Sequence, residues 1–184
     1  MTDPTSPRDV LRPLRRTRQV REFTDEPLTD AELDAITDVA RWTGSSRNNQ
    51  PWRFLTIRDP ATIRRLEAAG LPQTRSLKTA TAAIAVVLRV DPERLAADTY
   101  DDGRAAERML IAAGMLDLAA AITWIRADVM PAVREILELP EDRWVRTVLS
   151  LGHPTDAARA PKSAPGEARI PRSESVFAER LPPD

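Results

Sequence analysis

Hydrophobic positions along the chain predict a β-sheet with two central strands. Residues 81–90 (TAAIAVVLRV) are apolar without alternation and rich in Val and Ile, which is typical of a strand covered on both faces. Residues 143–152 (RWVRTVLSLG) predict a second central strand. Residues 52–57 and 122–127 predict two further strands, and Asp59-Pro60 closes the first of these.

Other segments have the period of amphipathic helices. In residues 28–44, Leu33 and Ile36 share one face with Val39. Thr29 and Glu32 have the spacing of a capping box, and Gly44 can end the helix. Three shorter helices are expected, one after residue 10 that becomes extended near Val20, one at 61–70 and one at 130–139.

A long apolar helix is expected in the second half of the chain. Residues from about 102 to 121 are nearly all helix formers, and they are too apolar on every side for a surface helix. We therefore predict a central buried helix that can also lie at a subunit interface.

The chain is long enough for one domain, so we treat residues 1–184 as a single unit. Residues 1–10 are polar and broken by proline, and we expect them to be disordered. Residues 154–184 contain six of the 16 prolines, so the last part of the chain cannot form much regular structure by itself. We predict that residues 155–184 are either disordered or form an extended arm along another subunit.

Composition excludes several kinds of chemistry. The chain has no Cys and a single His, His153, so thiol catalysis, disulfides and a multi-His metal site are impossible. No metal site is expected. No apolar run approaches the length of a membrane span, and the first residues do not resemble a secretory signal. We expect a cytoplasmic protein that does not bind a membrane.

Arginine is the outstanding charged residue. Of the 27 basic residues only Lys78 and Lys162 are lysines, and six arginines lie between residues 8 and 21. The six glycines are scattered, so no Gly-rich phosphate loop can be formed. If the protein binds a phosphorylated cofactor, arginine is the obvious ligand. The net charge of −1 gives no general field for nucleic acid.

Four motifs in the same order and spacing resemble the FMN-dependent nitroreductase family. The family's Arg-rich opening is similar to TRQVREF at 17–23, and its P-S-x-x-N-x-Q-P-W pattern is matched by GSSRNNQPW at 44–52. The start of its long apolar helix resembles DGRAAERMLIAAG at 102–114. Its C-terminal pattern is matched by GHP at 152–154 and RIP at 169–171. The similarity extends from about residue 14 to residue 180.

This resemblance implies an α+β fold, with a central, mostly antiparallel sheet wrapped by helices. It also implies an intertwined homodimer whose C-terminal arms are exchanged, with FMN at the interface. The implied activity is hydride transfer from NAD(P)H, through the flavin, to a nitroaromatic, a quinone or a similar small-molecule acceptor by a ping-pong mechanism. No catalytic side chain is required, because the chemistry belongs to flavin N5.

The same resemblance assigns roles to nine residues. Arg18, Arg21 and Arg169 correspond to phosphate ligands, with Arg172 as the natural substitute for Arg169. Gln19 replaces the family's Ser. Ser45, Asn48 and Gln50 correspond to residues that read the flavin ring and ribityl chain. Backbone groups around Ala120 and Ala121 would face the other side of the flavin, although the family's G-L-G-S is replaced here by DLAA at 117–120.

Other interpretations remain open. The changes at Gln19 and at 117–121 also allow a dimeric flavin-binding protein with a degenerate pocket. A dehalogenase or an enone reductase of the same fold is a further alternative. The arginines at 15–21 can simply be a solvated basic segment, and 45–52 can be a polar turn anchored by Trp52. Nucleic-acid binding is disfavoured, because no aromatic stacking pattern accompanies the arginines.

Overall fold

The computed structural model describes residues 6–160, 163 and 169–181. It contains seven α-helices and four strands within this part of the chain. In chain order these are α1 (Pro7–Val10), α2 (Arg12–Arg16), α3 (Asp30–Arg41), β1 (Arg53–Ile57), α4 (Pro60–Gly70), β2 (Ala82–Arg89), α5 (Leu95–Met115), β3 (Ala119–Trp124), α6 (Met130–Ile136), β4 (Arg143–Gly152) and α7 (Asp156–Arg159). Short 3₁₀ helices span Ser46–Asn48, Gln73–Lys78 and Arg172–Glu174.

The four strands form one antiparallel sheet in the order β1-β2-β4-β3. The two strands predicted to be central, β2 and β4, are therefore central. The predicted α+β architecture, a mostly antiparallel sheet wrapped by helices, is confirmed.

Helices cover both faces of this sheet. In β2 the side chains of Ile84, Val86 and Leu88 point to one face, where they pack with α3 and α5. The alternate residues of β2 point to the opposite face, where α4 and α6 pack. Because both faces are covered, β2 has no polar face, which explains its unbroken apolar sequence.

The capping box of α3 forms as predicted. The backbone N–H of Glu32 donates to Thr29 Oγ1 at 3.2 Å, and the backbone N–H of Thr29 donates to a carboxylate oxygen of Glu32 at 2.7 Å. These hydrogen bonds from Thr29 lower the pKa of Glu32. The helix ends at Arg41, before the predicted stop at Gly44.

The predicted long helix at 102–121 is wrong at both ends. α5 begins at Leu95 and ends at Met115. Asp117 then adopts a left-handed conformation with φ of 57°, which turns the chain into β3. Residues 119–121 are alanines with a helical preference, but they pair with residues 150–152 of β4. Sheet pairing therefore outweighs the local propensity here.

An extended segment, residues 17–23, lies along the outer edge of β3. The backbone N–H of Val20 donates to the carbonyl of Ala120 at 2.9 Å, and Phe23 forms a β-bridge with Pro154. Gly152 allows this close approach, since a Cβ there would lie 2.7 Å from Phe23 Cβ.

The two chain ends are described in part. Of the segment 1–10 that we expected to be disordered, residues 1–5 lie outside the described residues, and Pro7–Val10 form a helical turn capped by Ser6. The C-terminal part contains α7 and the short helix at Arg172–Glu174. Arm exchange between subunits stays a prediction, because one chain cannot test it. Among the described residues, no helix has the length and apolar character needed to cross a membrane.

Candidate functional site

The edge of β3 fixes one group of predicted site residues. At this edge the backbone N–H of Ile122 points away from β4 and donates to Gln19 Oε1 at 3.2 Å. The same oxygen accepts from Arg21 Nη2 at 3.0 Å. The Gln19 side chain therefore takes the place of a strand carbonyl and orients Arg21, while both side chains remain exposed. We call Gln19, Arg21 and the Ile122 N–H the edge cluster.

Arg18 lies next to the edge cluster in sequence but has different partners. Its Nη2 donates to the backbone carbonyls of Ala158 and Arg159, the latter at 2.7 Å. Successive side chains of an extended chain point to opposite sides, so Arg18 is directed to the end of α7 while Gln19 and Arg21 reach β3. Arg18 thus ties the N-terminal segment to the C-terminal part of the chain.

A cavity of about 630 Å³ lies on the Arg18 side of this segment. It is large enough for a cofactor-sized ligand. Its walls include the predicted residues Arg18 and Ala120, and also Arg12, Arg16 and Arg159, with Asp9 and Asp117 as the acidic members. The excess of arginine favours an anionic group. Arg12 and Arg16 belong to the Arg-rich segment noted in the sequence, but Arg159 had no sequence signal.

The loop from Ser45 to Gln50 holds the second group of predicted residues. Ser45 Oγ accepts from the backbone N–H of Gln50 at 2.9 Å and closes the loop. The Gln50 amide donates to Asn48 Oδ1 at 3.2 Å. The loop therefore brings Ser45, Asn48 and Gln50 together, with the Asn48 and Gln50 side chains exposed.

The backbone of this loop is unusual. Three non-glycine residues are left-handed: Arg47 at φ of 54°, Asn48 at 55° and Gln50 at 47°. Each such residue is disfavoured, because its Cβ approaches its own backbone. Beyond the loop, Trp52 is buried and stacks on Phe54 with ring centroids 6.1 Å apart, so Trp52 is a core anchor whatever the loop binds. A strained loop on a fixed anchor is common at ligand sites.

The remaining predicted residues occupy other positions. Ala120 and Ala121 are buried in β3, and their carbonyls already accept hydrogen bonds from the Val20 N–H and from Ser150 Oγ. At this edge the N–H that donates to the Gln19 side chain belongs to Ile122, one residue beyond the predicted pair. Arg169 and Arg172 are exposed, and neither lines the cavity beside Arg18. Their roles stay predictions.

The two groups are not directly joined within one chain. No hydrogen bond or ion pair between described residues connects Gln19 or Arg21 to the loop at 45–50. The loop instead contacts the first half of α5, whose Asp101 accepts from the backbone N–H of Ser46 at 2.9 Å. Asp101 was missed in the sequence, since nothing local marks it as a partner of a residue 55 positions away.

A neighbouring carboxyl on α5 has perturbed acidity. Asp102 is buried, and burial raises its pKa to about 6, although a hydrogen bond from Thr147 and the charge of Arg146 oppose the shift. Thr147 Oγ1 donates to Asp102 Oδ2 at 2.7 Å, while Oδ1 has no hydrogen-bond partner among the described residues. Asp102 faces the sheet, so it belongs to neither group of site residues.

Comparisons with known proteins agree with the sequence motifs. The sequence profile of the nitroreductase family matches residues 14–102. An Archaeoglobus fulgidus protein with the provisional name NADH dehydrogenase/NAD(P)H nitroreductase is 30% identical over 157 residues, which cover 80% of this chain and 87% of that protein. The oxygen-insensitive NADPH nitroreductase of Salmonella typhimurium is 33% identical over 156 residues, covering 76% of this chain and 63% of that enzyme.

A solved structure matches along the whole chain. A provisionally named nitroreductase from Desulfovibrio desulfuricans, solved in complex with FMN, is 26% identical, with a TM-score of 0.73 over 99% of this chain and 100% of that chain. Fold and similarity together define the protein as an α+β oxidoreductase. It belongs to the nitroreductase family, as the four motifs indicated.

Proposed function

We propose that the protein is an FMN-dependent oxidoreductase that uses NAD(P)H to reduce a nitroaromatic, a quinone or a similar small molecule. Donor and acceptor would occupy the same site in turn, which gives ping-pong kinetics. FMN, when bound, supplies the hydride chemistry. The observation that carries the proposal is the loop that gathers Ser45, Asn48 and Gln50 at the surface of a chain of this family.

The residues present fit this cofactor. A flavin has a phosphate at one end and a pyrimidine edge of alternating donors and acceptors at the other. Exposed carboxamides such as Asn48 and Gln50 can both donate and accept, which suits the pyrimidine edge and the ribityl hydroxyls. An arginine suits the phosphate, because its planar guanidinium forms charge-assisted, bidentate hydrogen bonds.

Arg21 is the strongest phosphate ligand in this proposal, since it is exposed and is oriented by Gln19. The Nη2 of Arg18 already donates to the carbonyls of Ala158 and Arg159, so Arg18 would bind the phosphate through its other N–H groups. Arg169 or Arg172 would complete the phosphate site from the C-terminal arm. Ala120 and Ala121 would line the flavin through the backbone near the β3 edge.

A homodimer is part of this proposal, because no hydrogen bond or ion pair between described residues joins the two groups within one chain. If one flavin contacts both the edge cluster and the loop at 45–50, the loop of one protomer has to approach the edge cluster of its partner. Exposed aromatic side chains near the loop support an interface there, since Trp42 is 68% exposed and Tyr100 is 70% exposed. We propose that this dimer is cytoplasmic and exchanges its C-terminal arms.

The first experiment is a visible absorption spectrum of the purified protein, followed by anaerobic addition of NADH and NADPH in separate samples. We expect a flavin spectrum that bleaches with at least one nucleotide and returns when an acceptor is added. A protein that binds FMN but bleaches with neither nucleotide would instead be the flavin-binding protein with a degenerate pocket. A protein that does not bind FMN at all would refute the proposal.

A further inference from the structure

The strained loop at 45–50 is attached to the first half of α5 at two points. Hydrogen bonds within the loop, such as those from the Gln50 N–H to Ser45 Oγ and from the Gln50 amide to Asn48, shape it but do not attach it to the rest of the protein. Asp101 makes one attachment directly, and Arg94, which is bonded to Asp98, makes the other. Asp98 and Asp101 are buried carboxylates of α5 that are three residues apart and therefore lie on one face of the helix.

The first attachment is Asp101, which is 1% exposed. One carboxylate oxygen, Oδ2, accepts from the backbone N–H of Ser46 at 2.9 Å. The other, Oδ1, accepts from Arg104 Nη1 at 3.3 Å. Both oxygens of this carboxylate thus have a partner, and the negative charge is balanced by Arg104. Such a carboxylate is fixed in position, because a buried charge that loses its hydrogen-bond partners costs free energy.

The second attachment uses an arginine between the carboxylate and the loop. Asp98 Oδ1 accepts from Arg94 Nη2 at 3.0 Å. With its amide oxygen turned toward α5, Asn49 accepts from Arg94 Nη2 and Nε at 3.1 and 3.0 Å. The guanidinium is thus held by Asp98 and in turn holds Asn49.

The residues attached to α5 are different from those predicted to read the flavin. Ser46 and Asn49 are held by α5, whereas the exposed Asn48 and Gln50 are two of the left-handed residues. We infer that Asp101, together with the Asp98–Arg94 pair, positions the loop so that Asn48 and Gln50 face the ligand. These three are positioning residues, because none is assigned a contact with the flavin. The inference rests on the proposed function for its ligand, but the loop geometry can be tested without any ligand.

The main experiment compares Asp101→Ala and Asp101→Asn with the wild-type protein. Asp102→Asn is the matched control, since it alters the adjacent buried carboxyl, which bonds Thr147 and not the loop. Amide hydrogen exchange of residues 45–50 is measured in protein stripped of flavin, and the FMN dissociation constant is measured by fluorescence titration.

We expect Asp101→Ala to accelerate exchange at Ser46 by about tenfold and to raise the FMN dissociation constant by a similar factor, as expected for loss of a hydrogen bond to a charged group. Asp101→Asn keeps one acceptor and should show a smaller change in both. The control should change neither. Unchanged exchange at 45–50 in Asp101→Ala, or faster exchange with an unchanged dissociation constant, would overturn the inference.

A second variant guards against failure of Asp101→Ala to fold. Arg94→Ala removes both the contact to Asn49 and the ion pair with Asp98, and it alters a side chain that is partly exposed. We expect faster exchange at Asn49 and weaker FMN binding in this variant, and no change in either would count against the inference. If the wild-type protein binds no FMN, the proposed function fails, while the exchange data still decide whether α5 holds the loop.

Discussion

The edge cluster and the loop at 45–50 present polar groups by opposite means. In the edge cluster, the extended segment follows a strand, and the Val20 N–H and the Gln19 side chain replace the hydrogen bonds of a fifth strand. In the loop, the backbone is left-handed at three residues and is held by side chains of α5. The first arrangement depends on regular backbone pairing, and the second depends on particular side chains.

The difference affects which substitutions each group tolerates. A strand edge offers the same N–H and C=O groups whatever the side chains are, so Gln19 can stand at a position where the family usually has Ser. A left-handed loop depends on its attachments, because its residues are disfavoured in isolation. We therefore expect the backbone pairing of the segment at 17–23 with β3 to tolerate substitutions, and the loop to be sensitive to single changes in α5.

The largest expected effect is on the FMN dissociation constant, and it distinguishes Arg21 from Arg18. Arg21→Ala should raise the FMN dissociation constant about 100-fold, because a phosphate loses two charge-assisted hydrogen bonds. Arg18→Ala should change FMN binding less and should lower the free energy of unfolding by about 1 kcal/mol, through loss of its bonds to the end of α7. Fluorescence titration and urea unfolding measure the two effects. Equal effects of both variants on FMN binding would contradict this division of roles.

Gly152→Ala tests the contact that holds the extended segment. The new Cβ would lie 2.7 Å from Phe23 Cβ and 2.8 Å from Phe23 Cγ, so the segment has to move. We expect a loss of about 2 kcal/mol in the free energy of unfolding, as for overpacking elsewhere. Gly103→Ala is the control, since a Cβ there meets nothing within 4 Å. Equal stability of the two variants would show that the segment does not depend on this approach.

Asp102→Asn compares the two neighbouring carboxyls of α5. Because the pKa of Asp102 is raised to about 6, the folded protein holds a proton there that the unfolded chain has released, and stability falls as the pH rises from about 4 to about 6. Asn has no charge to bury, so the stability of the variant does not fall with pH for this reason. Relative to the wild type, we expect it to gain about 2 kcal/mol between pH 4 and pH 7.5.

Urea unfolding of both proteins at the two pH values measures this gain. A difference between wild type and variant that is the same at both pH values would exclude Asp102 as the titrating group.

The smallest expected effect concerns strain in the loop. Arg47 is exposed and left-handed, so Arg47→Gly should raise the free energy of unfolding by about 1 kcal/mol, because glycine has no Cβ to disfavour this conformation. Arg47→Ala keeps the Cβ and should give no such gain. Thermal unfolding of both variants separates backbone strain from the loss of the arginine side chain. A similar change in both would place the effect in the side chain.

The sequence alone determined the features that depend on local pattern. The apolar character of residues 81–90 and 143–152 placed β2 and β4 at the centre of the sheet, since only strands covered on both faces lack a polar side. The spacing of Thr29 and Glu32 gave the start of α3, because a capping box involves residues three apart. The four motifs gave the family, since their order and spacing are read along the chain.

Tertiary structure decided what depends on distant partners. Ala119–Ala121 read as helix, and only pairing with β4 made them a strand. Arg18 and Arg21 look equivalent in sequence, yet one binds carbonyls about 140 residues away and the other binds Gln19. Nothing in the sequence distinguishes Asp101 from the other acidic residues, and only the folded structure shows that it binds the backbone of Ser46. Local patterns record the preference of a segment, whereas the partner of a buried charge or an edge N–H is fixed only when the chain is folded.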